Sequence, residues 1–357
     1  MTNRCAEKEY DYGMAVLRIW MCFEVVIDHF YNRNLAGEGS QFNSVLMSTL
    51  LSYVKVAVPV FMLSSFYLTD IGRISGSTDL IRRRFYRLIL PHVFWAVVYY
   101  SVYRVLDWKY NLQLEHGLKD LILQILLGHC INQSTWFQVV LIILTALFIV
   151  LYRRYLDKSV VVMVIAVFFA VFMQYSEMNV DFLEFIFVER LKMGFVPYTI
   201  GRFLEMVPYA VIGVLIRRFG VVEKLTNVKT SFIVGLFITL FLLLRYPVFQ
   251  SIERQYGYAG LNSITLCAVS FLLFSLLPFG KISTGIKSII KGVSKYTMAV
   301  YFSHRLIGTL LYNSRAYSRL GIEKGSFLEC MLIFWLCVVI ALIINRIPIK
   351  MIRDSIA

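Results

Sequence analysis

The sequence predicts an all-α, polytopic integral membrane protein with about ten transmembrane helices and both termini in the cytoplasm. Three observations carry this. Hydrophobic residues make up 59% of the 357 and charged residues only 16%, against about 45–50% and about 25% in soluble domains. Apolar runs long enough to cross a hydrocarbon core of about 30 Å recur along the whole chain. The alternating segments that mark a membrane β-barrel are absent, which leaves helices as the spanning structure that satisfies its own backbone polar groups.

Spans are drawn near 14–31, 46–68, 88–106, 135–152, 159–175, 199–216, 229–245, 259–278, 292–312 and 327–345. The first is no cleaved signal peptide, because Arg18, Glu24, Asp28 and His29 interrupt its apolar core. The connection 107–134 holds an amphipathic piece, Gly117 to Leu127, with Leu118, Leu121, Ile122 and Ile125 on one face. Too short to span, it is expected to lie in the interface or re-enter. Trp95, Trp108, Trp136 and Tyr152 near span ends fit an aromatic belt. No polar stretch is long enough for a soluble domain, so residues 1–357 are read as one membrane-embedded unit.

Orientation follows from Lys and Arg. With the N-terminus inside, the loops 1–13, 69–87, 153–158, 217–228, 279–291 and 346–357 carry about twice the basic residues of the opposite set. The same distribution accounts for the formal charge of +14. The cations form short clusters between spans rather than one tail or stripe, so a nucleic-acid partner is not expected and membrane lipids are. Six cysteines show no CxxC spacing and lie mostly in apolar runs, which argues against a disulfide framework or a zinc site. His116, His129 and Cys130 have no metal-ligand spacing, and no metal is expected.

Ionisable groups inside apolar spans are costly, about 2.5–3.5 kcal/mol on insertion scales, and mark functional positions. Arg18 and His29 are eleven residues apart, about 20° from one helix face and about 16 Å along the axis. One stripe of the first helix therefore carries a cation towards the inner side and an imidazole towards the outer side, with Cys22 and Val25 between. Such a stripe faces a polar interior, unless Arg18 snorkels and His29 only ends the helix. Neutral imidazole accepts a proton near neutral pH, which makes His29 the candidate general base. Glu24 and Asp28 stand aside from the stripe and could pair with Lys55 or orient His29. A second cluster, Arg82 to Arg87, places Arg84 and Arg87 on one helix face. Forked guanidiniums suit phosphate oxygens, although topogenic charge explains the same residues. A third feature, Tyr301 to Arg305, puts His304 within the ninth span; a structural histidine is the plainer reading there. His92, His116 and His129 look less constrained.

The order of motifs resembles the acyltransferase-3 family, membrane O-acyltransferases that modify bacterial surface polysaccharides and related glycans. Arg18 and His29 match its R-x10-H arrangement. Val58 to Leu68 (VPVFMLSSFYL) is similar to VPxFFxLSGFL. Arg82 to Pro91 is similar to an RxxR segment running into an ILP turn. Thr135-Trp136-Phe137 resembles LWFL, Tyr209 to Gly213 resembles YFxxG, and Val293 to His304 resembles LGKYS…IYxxH. Three positions depart from these patterns: Ser65 stands at the glycine of Ser-Gly-Phe, Thr135 replaces the leucine before Trp-Phe, and Gln138 follows it.

The resemblance implies a stand-alone O-acyltransferase of the plasma (inner) membrane. Its donor would be acetyl-CoA or another acyl-CoA, and its acceptor a glycan hydroxyl. Arg84 and Arg87 would hold the donor's phosphates, Arg18 would lie deeper, and His29 would take the acceptor proton, directly or through an acyl-histidine. Ser64, Ser65, Trp136, Tyr301 and His304 are expected to line the pocket, and no oligomeric state is assigned. A transporter or flippase of a glycan or lipid-linked precursor is the alternative, although no inverted pair of broken helices is present. A polysaccharide polymerase is disfavoured by the short, weakly basic outer loops.

Overall fold

Asp11 starts the first helix. Its Oδ1 accepts the Met14 amide at 2.9 Å, satisfying one of the N–H groups that a helix N-terminus leaves open, and α1 (Tyr12–Phe30) follows. Met14, Leu17, Met21 and Val25 recur every three or four residues and are all buried, the pattern of a helix with a core-facing stripe. The computed structural model describes residues 11–30, 54–110, 117–128, 130–155, 160–161, 163–165, 196–226, 230–245, 259–277, 282–314 and 316–355.

The next helices are α2 (Val54–Leu68), α3 (Ile71–Ser75), α4 (Thr78–Tyr110), α5 (Leu118–Leu127), α6 (Trp136–Tyr155) and α7 (Val196–Arg218). Then come α8 (Val221–Thr226), α9 (Thr230–Arg245), α10 (Ala259–Leu276) and α11 (Thr284–Ser294). The last are α12 (Thr297–Asn313), α13 (Ala316–Leu320), α14 (Phe327–Asn345) and α15 (Lys350–Asp354). No strand occurs among the described residues. By length and composition, α4, α6, α14 and the Thr199–Arg218 part of α7 are able to cross a membrane, and α2 and α10 contain shorter apolar stretches. Most of the span drawn at 159–175, and the start of the one drawn at 46–68, lie outside the described residues.

Two boundaries differ from the sequence expectation. The third span was placed at 88–106, yet α4 begins at Thr78. Ser77 Oγ accepts the Leu80 amide at 3.4 Å, and arginine is a good helix former, so helix runs through the basic cluster that hydropathy excludes. At about 1.5 Å per residue, the 33 residues of α4 reach well beyond a hydrocarbon core. The span drawn at 292–312 divides at Lys295 and Tyr296 into an amphipathic α11 and the largely buried α12.

The core gathers around α1, which packs on α2, α10, α11, α12 and α14. Helices α2 and α7 approach closely because Gly213 has no side chain: a Cβ there would stand 2.3 Å from the Leu63 carbonyl oxygen. Small residues permit such contacts in membrane bundles, where packing replaces the hydrophobic drive. The basic ends of several helices meet at one side. Arg153 Nε donates to the Ser75 carbonyl at 2.8 Å, and a cavity of about 250 Å³ opens between Asp70, Tyr152, Arg217 and Arg218.

The amphipathic piece forms as expected, but its burial is inverted relative to a soluble helix. In α5, Leu118, Ile122 and Leu126 are exposed, while Gln124 is fully buried. Leu121, on the expected apolar face, packs against the core, so that face is divided between protein and the outside, and the buried Gln124 anchors the helix to protein.

Candidate active site

Helices α1 and α12 run in parallel register over two turns. Cys22 Sγ donates to the Thr297 carbonyl at 3.2 Å. Seven residues further along each helix, the rings of His29 and His304 stack with centroids 5.1 Å apart and planes 12° apart. A parallel pair of helices repeats its contacts at that interval. Arg305 completes the group: its Nη2 donates to His29 Nδ1 at 3.0 Å. His304 is completely buried and its Nδ1 donates to the Val300 carbonyl at 3.2 Å. Its Nε2 has no hydrogen-bond partner among the described residues. Phe30 lies edge-on to His304, seated where Gly308 leaves room, since a Cβ at 308 would fall 2.2 Å from the Phe30 ring.

Tyr99 reaches from α4 into the backbone of α12. Its hydroxyl donates to the Phe302 carbonyl at 2.8 Å and accepts from the Leu306 amide at 3.1 Å. Those are the two groups a regular helix turn joins to each other. Both bonds fall on the turn of α12 that carries Ser303, His304 and Arg305.

From His304 a run of rings leads towards α2. Tyr301 is 6.2 Å from His304, Phe61 is 6.2 Å from Tyr301, and Phe137 closes the cluster at 5.6 Å from Tyr301. One helical turn beyond Phe61 come Ser64 and Ser65. Arg84 Nη2 donates to Ser65 Oγ at 2.8 Å, and Arg87 is exposed beside it. Ser64 Oγ, Arg84 Nε, Ser134 Oγ and Gln138 Oε1 are buried without a hydrogen-bond partner among the described residues. Buried polar atoms are almost always paired in native proteins, so this set is unusual among the described residues.

The segment before α6 covers the ring cluster. Gln124 is its hub: Oε1 accepts the amides of Ile131 at 2.5 Å and Asn132 at 3.0 Å, while Nε2 donates to Thr135 Oγ1 at 2.5 Å and to the Asn132 carbonyl at 3.2 Å. Tyr301 donates its hydroxyl to the Ser134 carbonyl. His92, which the sequence left unconstrained, is buried and donates from Nε2 to the Ile125 carbonyl at 2.9 Å. Trp136 is capped by the Arg202 guanidinium, 5.1 Å from its ring, and Arg202 pairs with Glu205 at 2.6 Å. His116, His129 and the Lys55 side chain lie outside the described residues. No metal-binding cluster occurs among the described residues.

Of the sequence-selected residues, His29 and His304 come together, and Tyr301 adjoins them. Ser65 and Arg84 form a second group at the other end of the ring run, with Ser64 next to it and Arg87 at its rim. Trp136 sits with Arg202 under the α5 segment. Arg18 joins neither group; it is half-buried, with its Nε unpartnered among the described residues. Sequence reasoning passed over Arg305, Tyr99 and Gln124. Arg305 stood next to a selected histidine and could have been chosen on intramembrane charge alone.

The profile of the family described as an acyltransferase domain, type 3, matches residues 11–346. The chain belongs to the acyltransferase-3 family. No curated protein and no solved structure matches it. It is a multi-pass membrane acyltransferase. In this acyltransferase, all three departures from the motifs are polar residues used in polar contacts. Ser65 accepts from Arg84, Thr135 donates from Oγ1 to the Gly128 carbonyl at 2.7 Å, and Gln138 donates from Nε2 to the Leu88 carbonyl at 2.8 Å. Ser65 and Gln138 grip the same stretch of α4, just before Pro91, where the missing proline N–H removes a helix bond to the Arg87 carbonyl.

Proposed function

We propose that this acyltransferase transfers an acyl group, acetyl as the first choice, from a cytoplasmic acyl-CoA to a hydroxyl of a polysaccharide or lipid-linked glycan. The membrane is the plasma (inner) membrane, with both termini on the cytoplasmic side. One observation carries the reading: two imidazoles and a guanidinium meet inside the helix bundle, at one end of a run of rings whose other end holds Arg84. Acyl transfer to a hydroxyl needs a group that removes a proton and N–H donors for the oxygen that gains charge. The His29–His304–Arg305 group offers both. Arg84 and Arg87 suit the phosphates of the donor, because a guanidinium presents paired donors to phosphate oxygens. Arg217 and Arg218 add positive charge at the basic end of the bundle.

The test is mass spectrometry of surface glycans from cells with and without the protein. An added acetyl mass, lost on His29→Ala while the variant remains inserted and abundant, is the expected result. Identical glycans in both strains would sink the glycan assignment. An added succinyl or longer mass would replace acetyl as the group moved.

A further inference from the structure

The two stacked rings are not equivalent, because each has a different nitrogen committed. A guanidinium has only N–H groups to offer, so at His29 it is the Nδ1 lone pair that accepts from Arg305. A neutral imidazole has a single N–H. In His29 it is therefore on Nε2, which faces outward from this contact as a donor. His304 is the reverse. A backbone carbonyl can only accept, so the Nδ1 facing Val300 carries the proton. Its Nε2 is a bare lone pair, fully buried and unpartnered among the described residues. Leaving an acceptor in that state costs about 1–3 kcal/mol, and unsatisfied groups of this kind in a native fold call for an explanation.

We infer that His304 Nε2 is the proton acceptor of the transfer reaction, and that His29, oriented by Arg305, donates a hydrogen bond to the oxygen on which negative charge develops. This exchanges the role the sequence assigns to His29. It rests on the acyl-transfer reading given above. The acceptor hydroxyl attacks the thioester carbonyl carbon, forming the C–O bond as its proton moves to His304 Nε2. The carbonyl π pair moves onto oxygen and is held by His29 Nε2–H. Collapse restores the C=O bond and breaks the C–S bond, and the proton on His304 passes to the departing thiolate. An ester and a free thiol result. The rings lie nearly parallel with centroids 5.1 Å apart, so the proposal places both imidazoles at one reacting centre. Arg305 is a positioning residue: it sets which nitrogen of His29 bears the hydrogen.

The experiment uses the full chain in nanodiscs with an acyl-CoA and a hydroxyl acceptor, after transfer by the unsubstituted protein is established. His304→Gln keeps an N–H for the Val300 carbonyl but has no basic nitrogen, and kcat is expected to fall by about 100-fold or more. His29→Gln keeps a donor and is expected to retain far more activity than His29→Ala. Added imidazoles are expected to restore His304→Ala, with rates that rise with the basicity of the imidazole, which a structural role would not produce. Wild-type-like turnover by His304→Gln overturns the assignment, as does rescue confined to His29→Ala or no rescue of His304→Ala. Should the unsubstituted protein move no acyl group from any acyl-CoA, the acyl-CoA reading itself fails.

Discussion

Replacing Tyr99 by Phe tests whether the geometry of α12 matters to the chemistry. The substitution deletes one oxygen from a fully buried side chain and leaves the ring, so no cavity term enters. Two hydrogen bonds are lost, to the Phe302 carbonyl and from the Leu306 amide. Each contributes about 1 kcal/mol net, so a rigid helix loses about 2 kcal/mol, and somewhat more if both backbone groups stay unpaired. That is a change of about 30-fold in the folded-to-unfolded ratio. The Leu306 amide and the Phe302 carbonyl can instead pair with each other, which recovers about 1 kcal/mol. A shift of that turn would move Ser303 to Arg305, and with them the His29–His304 stack. Either stability falls by the full amount, or stability falls less and turnover falls more. Denaturant titration in bicelles gives the first quantity, and acyl transfer at saturating donor gives the second. A Tyr99→Phe protein unchanged in both would refute the reasoning.

Arg84→Ala combined with Arg87→Ala should weaken acyl-CoA binding by tenfold or more, since hydrogen bonds to charged groups contribute about 1.5–3 kcal/mol each. Equal donor affinity in detergent calorimetry would return both residues to a topological role. Ser65→Gly should raise the donor KM in the same direction by a smaller factor, because Arg84 loses the hydroxyl that holds it. An unchanged KM would show that this bond orients nothing. Gln124→Leu removes four hydrogen bonds from a buried hub and should cost at least about 3 kcal/mol. It should release the segment between α5 and α6, seen as faster maleimide labelling of Cys130, and an unaltered labelling rate would count against the hub.

The legible part of the site was its charges. Arg18, His29 and His304 stand out in the sequence because each lies in an apolar run where a charge is expensive, and Arg84 because it shares a helix face with Arg87 in a basic cluster. The illegible part was pairing. Arg305 follows His304 in the chain, yet its partner is on α1, and Tyr99 acts on a backbone that no residue pattern advertises. His92 looked idle because its partner is a carbonyl, a group every residue carries. The early start of α4 escaped for a related reason: apolar content marks where lipid is, not where helix begins.

Composition and periodicity alone determined that this chain is a helical membrane protein, and motif order placed it among acyltransferases. Those properties are local sums, of transfer energy per residue and of residue type per turn. The meeting of His29 with His304, the nitrogen each ring leaves free, and the use made of Ser65 and Gln138 were decided by tertiary structure alone. Hydrogen bonds depend on the direction and separation of two groups, and for groups on separate helices only packing sets those.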